Sequence, residues 1–134
     1  MGTGKAPLLA VVDDDAEVRM ALTRLVSAAG FDVEAFASGA AFLQSVEDHE
    51  PDCVLLDLHM PGTSGFDVQR AMSPAHATVP IIVITGQDSM ESRVRALGGG
   101  AKGYLCKPVD EETLLATIDA AIAARTSTPG WRPP

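Results

Sequence analysis

The sequence predicts an α/β fold in which five parallel strands form one doubly wound sheet with helices on both faces. Five short apolar segments alternate with amphipathic segments along the chain. The apolar residues are mostly Val, Ile, Leu and Ala, with few aromatic residues, as is typical of parallel sheets covered by helices. Strict β-α alternation requires right-handed crossovers between parallel strands. The 134 residues are enough for one such core and too few for two.

Three of the five segments are continuous apolar runs, as expected for strands that are buried on both faces. They are Leu8–Val12, Cys53–Leu56 and Ile81–Ile84. Phe31–Phe36 instead alternates apolar and acidic residues, which indicates a half-exposed strand at the edge of the sheet. Gly103–Cys106 supplies the fifth strand. An edge position for the second strand favours the strand order 2-1-3-4-5.

Helical periodicity fills the intervals between the strands. The first helix has its apolar residues between 18 and 29 and should end at Gly30, and Ser38 should cap the second. The third helix should begin near Gly65 and stop before Pro74. The fourth helix is marked by Met90, Val94 and Leu97, and the fifth by Leu114, Leu115, Ile118, Ala121 and Ile122, with Asp110 as its N-cap.

We expect one domain over residues 8–124, preceded by a flexible N-terminus, 1–7. A tail rich in Thr, Ser and Pro, 125–134, should be disordered or begin a linker. No apolar run approaches the length of a membrane span, and the N-terminus lacks the apolar region of a signal peptide. These features predict a cytoplasmic protein with no membrane contact.

The charge and the cysteines restrict the class of function further. A formal net charge of −8 argues against direct nucleic-acid binding, which needs clustered Lys and Arg. Cys53 and Cys106 each lie in an apolar segment, and we expect both thiols to be buried in strands as small apolar groups.

Acidic residues follow two strands that the proposed order makes neighbours. The first strand is followed by Asp13, Asp14 and Asp15, and the third by Asp57. In such a sheet the functional crevice lies beyond the carboxyl ends of the strands, so Asp13 or Asp14 should lie close to Asp57. Clustered carboxylates repel one another, and an oxygen-seeking cation such as Mg²⁺ removes the repulsion. Asp15 is expected to cap the first helix or lie at the surface.

Asp57 lies between a buried strand and the turn 60–62, where a fixed carboxylate can attack a phosphoryl group and form an acyl phosphate. Phosphoryl transfer depends mainly on positioning and charge neutralisation. Thr85 ends the fourth strand and Lys107 follows the fifth, so a hydroxyl and an ammonium group are available at the same edge. The simpler interpretations are a strand-end Thr85 and a surface Lys107.

Four segments, in order and at similar spacing, resemble the receiver domain of bacterial response regulators, including chemotaxis-type and nitrogen-fixation-type receivers. They are 11–15, 55–62, 82–86 and 103–108, and the resemblance covers the chain from about Leu8 to Ala124. It implies a flavodoxin-like fold and a switch of two-component signalling. Such a switch takes a phosphoryl group from a histidine kinase or phosphotransfer protein and catalyses only its own phosphorylation and dephosphorylation.

The resemblance also implies a role for each residue of the metal site. Asp57 is similar to the phosphoacceptor and Asp14 to the direct Mg²⁺ ligand, with Asp13 acting mostly through metal-bound water. The backbone carbonyl of His59 supplies a further ligand. The His59 side chain stands at the second position after the phosphoacceptor, which tunes the lifetime of the acyl phosphate in this family.

The remaining matched residues concern the phosphoryl group and the response to it. Thr85 and Lys107 resemble the pair that contacts the phosphoryl group, and Gln87 is the second residue that tunes its lifetime. Tyr104 resembles an aromatic switch whose ring turns inward when Thr85 moves, and a static, half-buried tyrosine is the alternative. The Lys107–Pro108 bond is expected to be cis.

The sequence says less about the response to phosphorylation than about the phosphorylation site. The family implies a phosphorylation-dependent change, and a possible homodimer, at the face formed by the fourth helix, fifth strand and fifth helix. We expect a stand-alone receiver, with the excised receiver of a DNA-binding transcription regulator as an alternative. A magnesium-dependent phosphohydrolase also uses an Asp nucleophile, but such enzymes usually carry a second Asp where this chain has His59.

Overall fold

The computed structural model describes residues 6–127 and confirms the predicted fold. The strands are Leu8–Val12 (β1), Asp32–Phe36 (β2), Cys53–Leu56 (β3), Ile81–Thr85 (β4) and Gly103–Cys106 (β5). The helices are Ala16–Ala28 (α1), Gly39–Val46 (α2), Gly65–Met72 (α3), Met90–Gly98 (α4) and Glu111–Ser127 (α5). All strand pairs are parallel, and their order is β2-β1-β3-β4-β5.

Alternate residues of the strands supply two cores, one on each face of the sheet. Leu9 and Val11 of β1 pack with α1 and α5, whereas Ala10 and Val12 pack with α2, α3 and α4. This division follows from the two-residue period of a strand, and it explains why β1, β3 and β4 are apolar at every position. The edge strand β2 has no fully buried residue, as its alternating pattern predicts.

The helix ends that the sequence indicates are present. Ser38 caps α2 by accepting a hydrogen bond from the Ala41 N–H at 3.1 Å, and the Asp110 carboxylate accepts one from the Thr113 N–H at 2.9 Å. Gly30 follows α1 with φ +103°, a conformation that glycine adopts without steric cost. Asp15 caps α1, as expected, by accepting from two backbone N–H groups.

Contacts and helix α5 extend beyond both ends of the predicted domain, 8–124. The Pro7 carbonyl accepts a hydrogen bond from the Asp32 N–H at 3.0 Å, which ties residue 7 to β2. At the other end α5 continues to Ser127, because Arg125 donates to Glu50 at 3.2 Å and a cation is favourable in the last turn of a helix. The predictions for residues 1–5 and 128–134 lie outside the described residues. No helix within 6–127 is both long enough and apolar enough to cross a membrane.

The two cysteines differ in exposure, which corrects the prediction that both are buried. Cys53 is fully buried in the central strand β3. Cys106 is exposed, because it is the last residue of β5, an edge strand that has a neighbour on one side only. Burial holds the pKa of the Cys53 thiol at about 12, so this thiol is unreactive at neutral pH.

The apolar residues that locate α4 correctly do not face the core. Met90, Val94 and Leu97 are 75%, 62% and 46% exposed, and Ala96 is the buried residue of this helix. A three-to-four-residue apolar period identifies an amphipathic helix without saying what its apolar side contacts. The structure therefore leaves an apolar strip on α4 open to solvent, and we call Met90, Val94 and Leu97 the α4 strip.

Candidate functional site

Three carboxylates meet at the carboxyl ends of β1 and β3, as predicted. Ligand oxygens of Asp13, Asp14 and Asp57 all lie within 4.8 Å of one another. The two strands are hydrogen-bonded neighbours, and the Asp57 N–H donates to the Val12 carbonyl at 3.0 Å. Asp13 and Asp57 are only 1% and 5% exposed, whereas Asp14 is exposed. The cluster thus combines two buried carboxylates with one at the mouth of the site.

Lys107 is the cation that faces this cluster. Its Nζ lies 2.9 Å from Oδ2 of Asp13 and 3.5 Å from Oδ1 of Asp57. The Lys107 N–H donates to the Thr85 carbonyl at 2.8 Å, which fixes the backbone of this residue beside the end of β4. The following Lys107–Pro108 bond is cis, as expected. One ammonium group therefore contacts two buried carboxylates, which leaves an excess of negative charge in the pocket.

The charge balance shifts the pKa values of two of these groups. Burial, followed by the neighbouring Asp13 carboxylate, raises the pKa of Asp57, and this outweighs the opposing effects of Lys107 and the His59 backbone N–H. Partial burial works to lower the pKa of Lys107, but its hydrogen bond to Asp13 and the Asp57 carboxylate together raise it above the ordinary value. Lys107 is therefore charged at neutral pH, and Asp57 ionises less readily than a solvated aspartate.

Thr85, Gln87 and His59 surround the carboxylates. Thr85 is fully buried at the end of β4, and its Oγ1 accepts a hydrogen bond from the Gln87 N–H at 3.0 Å. The hydroxyl proton is thereby left available for another acceptor. The side chains of His59 and Gln87 are exposed, so both lie where water enters.

Tyr104 lies on β5, paired in the ladder with Val83, two residues before Thr85. The Arg93 guanidinium covers its ring, 5.0 Å from the ring centroid, and Arg93 also forms an ion pair with Asp88 at 3.1 Å. The Tyr104 hydroxyl is buried near Asp88, yet no hydrogen bond of normal geometry reaches it within the described residues. Burial, and secondarily the Asp88 carboxylate, raises the pKa of Tyr104.

Two residues that support the site were missed by the sequence analysis. Gly65, the first residue of α3, lies against the backbone beneath Asp57, where a β-carbon would come within 2.5 Å of the Asp57 carbonyl oxygen. Arg19 on α1 donates from Nη1 to the Asp13 carbonyl at 2.7 Å. Gly65 and Arg19 contact backbone atoms of the site, so no pattern of side-chain types in the sequence indicates their roles.

An acidic crevice faced by a lysine and a threonine, at the carboxyl ends of a doubly wound sheet, characterises the receiver domains of two-component signalling. The chain belongs to this family, because the family model of the response regulator receiver domain matches residues 9–119. Receiver domains act as signalling switches and bind Mg²⁺ at an acidic pocket. The predicted family is thereby confirmed, and the phosphohydrolase alternative is set aside.

The relatives include longer proteins and single receivers. The chain is 39% identical over 118 residues to the response regulator protein TodT of Pseudomonas putida, covering 88% of this chain and 52% of TodT. It is 36% identical over 129 residues to the transcriptional regulatory protein PrrA of Mycobacterium tuberculosis, covering 96% and 55%. The chemotaxis protein CheY4 of Vibrio cholerae superposes with a TM-score of 0.81 at 28% identity, covering 87% of this chain and 99% of CheY4. The chain thus spans about half the length of the curated relatives it matches.

Proposed function

We propose that the chain is a phosphorylation switch in which Asp57 accepts a phosphoryl group from a histidine kinase or phosphotransfer protein. The observation that carries this proposal is the placement of Asp57. It is a buried carboxylate of raised pKa with Lys107 Nζ at 3.5 Å and two further carboxylates beside it. A buried acidic cluster destabilises the fold, so a role in binding a cation and a phosphoryl group accounts for its presence.

The proposed reaction is a single transfer at phosphorus. An Asp57 carboxylate oxygen attacks the phosphorus of a phosphohistidine, the new O–P bond forms as the N–P bond breaks, and the imidazole leaves. Lys107 neutralises one phosphoryl oxygen, and the Thr85 hydroxyl donates its free proton to another. Attack of water on the same phosphorus later releases inorganic phosphate and restores the carboxylate.

The acidic pocket fits Mg²⁺, which prefers oxygen ligands and needs few of them from the protein. Asp14 and Asp57 would hold it directly together with the His59 carbonyl, and Asp13 would act through water. Bound Mg²⁺ supplies the positive charge that neutralises the carboxylates and the incoming phosphoryl group. Asp13 is already oriented for this role by the Asp15 N–H, which donates to its Oδ1 at 2.9 Å.

The phosphodonor is proposed to dock beside α1. An apolar groove runs between α1 and the start of the β5–α5 loop, lined by Val18, Ala21, Leu22, Leu25, Lys107, Pro108 and Val109. Lys107 lines this groove and also contacts Asp57, so a helix seated there could present its phosphohistidine to the acidic site. The proposed donors act in the cytoplasm, where we expect this chain as well.

The test is phosphorylation by a small donor. Incubation with acetyl phosphate and Mg²⁺ is expected to give one phosphoryl adduct in the intact mass spectrum. Omission of Mg²⁺, or the Asp57→Asn substitution, should abolish it, because the first removes the neutralising charge and the second the nucleophile. An adduct of equal yield in Asp57→Asn would disprove the assignment of the phosphoacceptor.

We further propose that His59 and Gln87, at the entrance of the site, tune the lifetime of the acyl phosphate.

We also propose that phosphorylation alters the face formed by α4, β5 and α5, with Tyr104 as the moving residue. The α4 strip lies on this face and is apolar and solvent-exposed. Contiguous exposed apolar side chains are characteristic of interaction surfaces. The proposed occupant is the same face of a second phosphorylated copy.

Dimerisation is tested by measuring molar mass with light scattering after addition of beryllofluoride, a mimic of the phosphoryl group. The wild type is expected to double in mass, and Val94→Glu to remain monomeric because a charge would be buried in the contact. Met20→Glu is the matched control, since Met20 is 53% exposed on α1, outside this face. A Val94→Glu protein that dimerises like the wild type would rule out the α4 strip as the contact.

A further inference from the structure

Each of the four polar atoms of Asp13 has a partner from a different part of the fold. Its N–H donates to the Phe36 carbonyl at 3.1 Å, its Oδ1 accepts from the Asp15 N–H at 2.9 Å, and its Oδ2 contacts Lys107 Nζ at 2.9 Å. Its carbonyl accepts from Arg19 Nη1 at 2.7 Å, which is short for an N–H···O hydrogen bond and typical of a charged donor.

Arg19 makes no ion pair within the described residues, although the chain is strongly acidic. Its half-buried guanidinium is instead directed at a backbone carbonyl. The Arg19 N–H donates to the Asp15 carbonyl at 2.9 Å, so the backbone and the side chain of Arg19 are both hydrogen-bonded to the turn between β1 and α1. That turn carries Asp13 and Asp14, and Asp15 ends it by capping α1.

We infer that Arg19 is a positioning residue for divalent-cation binding, which it supports by fixing the β1–α1 turn through the Asp13 carbonyl. The inference rests on the proposed Mg²⁺ site. Groups that orient metal-binding side chains commonly change metal affinity by roughly 10- to 100-fold when they are removed.

The sign of the effect distinguishes positioning from simple charge. Arg19 is a cation close to a cation-binding pocket, so by Coulomb's law its removal should strengthen Mg²⁺ binding. Loss of positioning should weaken it, because the carboxylates of the turn would no longer be held in place. The two explanations thus predict opposite changes for one substitution.

The experiment is an Mg²⁺ titration of the unphosphorylated protein, followed by the NMR shifts of the Asp14 and Asp15 amides. Arg19→Gln is expected to raise the Mg²⁺ dissociation constant by about tenfold. Arg19→Lys, which keeps a charged donor, should weaken binding less than Arg19→Gln does. Arg24→Gln is the control, since it removes the same charge from an exposed position of α1.

Unchanged or tighter Mg²⁺ binding in Arg19→Gln, with normal binding in the wild type, would overturn the inference and leave the proposed function intact. If Arg19→Gln does not fold, Arg19→Met replaces it, because Met keeps the apolar stem and removes both the donor and the charge, and wild-type or tighter Mg²⁺ affinity there would overturn the inference. A wild-type protein that binds no Mg²⁺ would overturn the metal site itself and the inference with it.

Discussion

Replacing Lys107 with Met is expected to slow phosphorylation of Asp57 by about a hundredfold, the typical effect of removing one charge-stabilising group from a reaction site. Among the described residues, Lys107 is the one whose ammonium group forms ion pairs with both buried carboxylates, whereas the Arg19 guanidinium is bonded to the Asp13 carbonyl. The rate is measured with acetyl phosphate at saturating Mg²⁺ by intact mass. Lys102→Met is the matched control, because Lys102 is exposed and lies outside the acidic site.

The same substitution should lower the free energy of unfolding at neutral pH, because Asp13 and Asp57 would face each other with no ammonium between them. Loss of Lys107 removes an influence that lowers the pKa of Asp57, so that pKa should rise further. An Asp with a folded-state pKa above its unfolded value destabilises the fold when ionised, and this effect disappears as pH falls through the folded pKa.

The stability difference between wild type and Lys107→Met is therefore expected to shrink as the pH is lowered from 7 toward 3.8, the ordinary pKa of Asp. Urea titrations of both proteins at several pH values measure it. Addition of Mg²⁺ should also stabilise Lys107→Met, because a ligand that binds only the folded state favours folding. A rate equal to that of the wild type, together with a constant stability difference, would contradict the proposed role of Lys107.

The main features of this site could be predicted from sequence because they depend on topology. Continuous apolar runs identify the buried strands, and neighbouring strands must deliver Asp13 and Asp57 to one edge of the sheet. Lys107 follows from the same argument, since β5 ends at that edge. The chemistry of carboxylates, an ammonium group and a hydroxyl in one crevice then limits the possible reactions.

The wrong prediction for Cys106, and the features that the sequence did not reveal, depend on tertiary neighbours that a local pattern does not encode. Cys106 lies in an apolar segment, but its strand is at an edge and its side chain is exposed. The α4 strip has the period of a core helix, yet it faces solvent. Arg125 lies in helix α5 and contacts Glu50, which is 75 residues away in the chain, so no local pattern indicates this contact. Arg19 and Gly65 support the site through backbone atoms, which are the same for every residue type.

Gly65→Ala is expected to destabilise the protein by about 2–3 kcal/mol, near the upper end of the usual effect of overpacking a core. The added β-carbon would lie 2.5 Å from the Asp57 carbonyl oxygen and 2.7 Å from Cα of Leu58. Both are backbone atoms, so no side-chain rotation relieves the overlap. The start of α3 must move away from β3, which also strains the 3.0 Å hydrogen bond from the Gly65 N–H to the Leu58 carbonyl.

The displaced start of α3 packs directly against the Asp57 backbone, so Gly65→Ala should also be phosphorylated more slowly than the wild type at a temperature where both are folded. Gly98→Ala is the matched control, because Gly98 lies at the end of α4 and an added β-carbon meets no atom within 4 Å. That substitution should stabilise by up to about 1 kcal/mol, since alanine favours helix more than glycine does. Urea unfolding measures both values. Equal stability of the two variants would mean that the close approach of α3 to Asp57 is not required, because the backbone could then accommodate a side chain at residue 65 without cost.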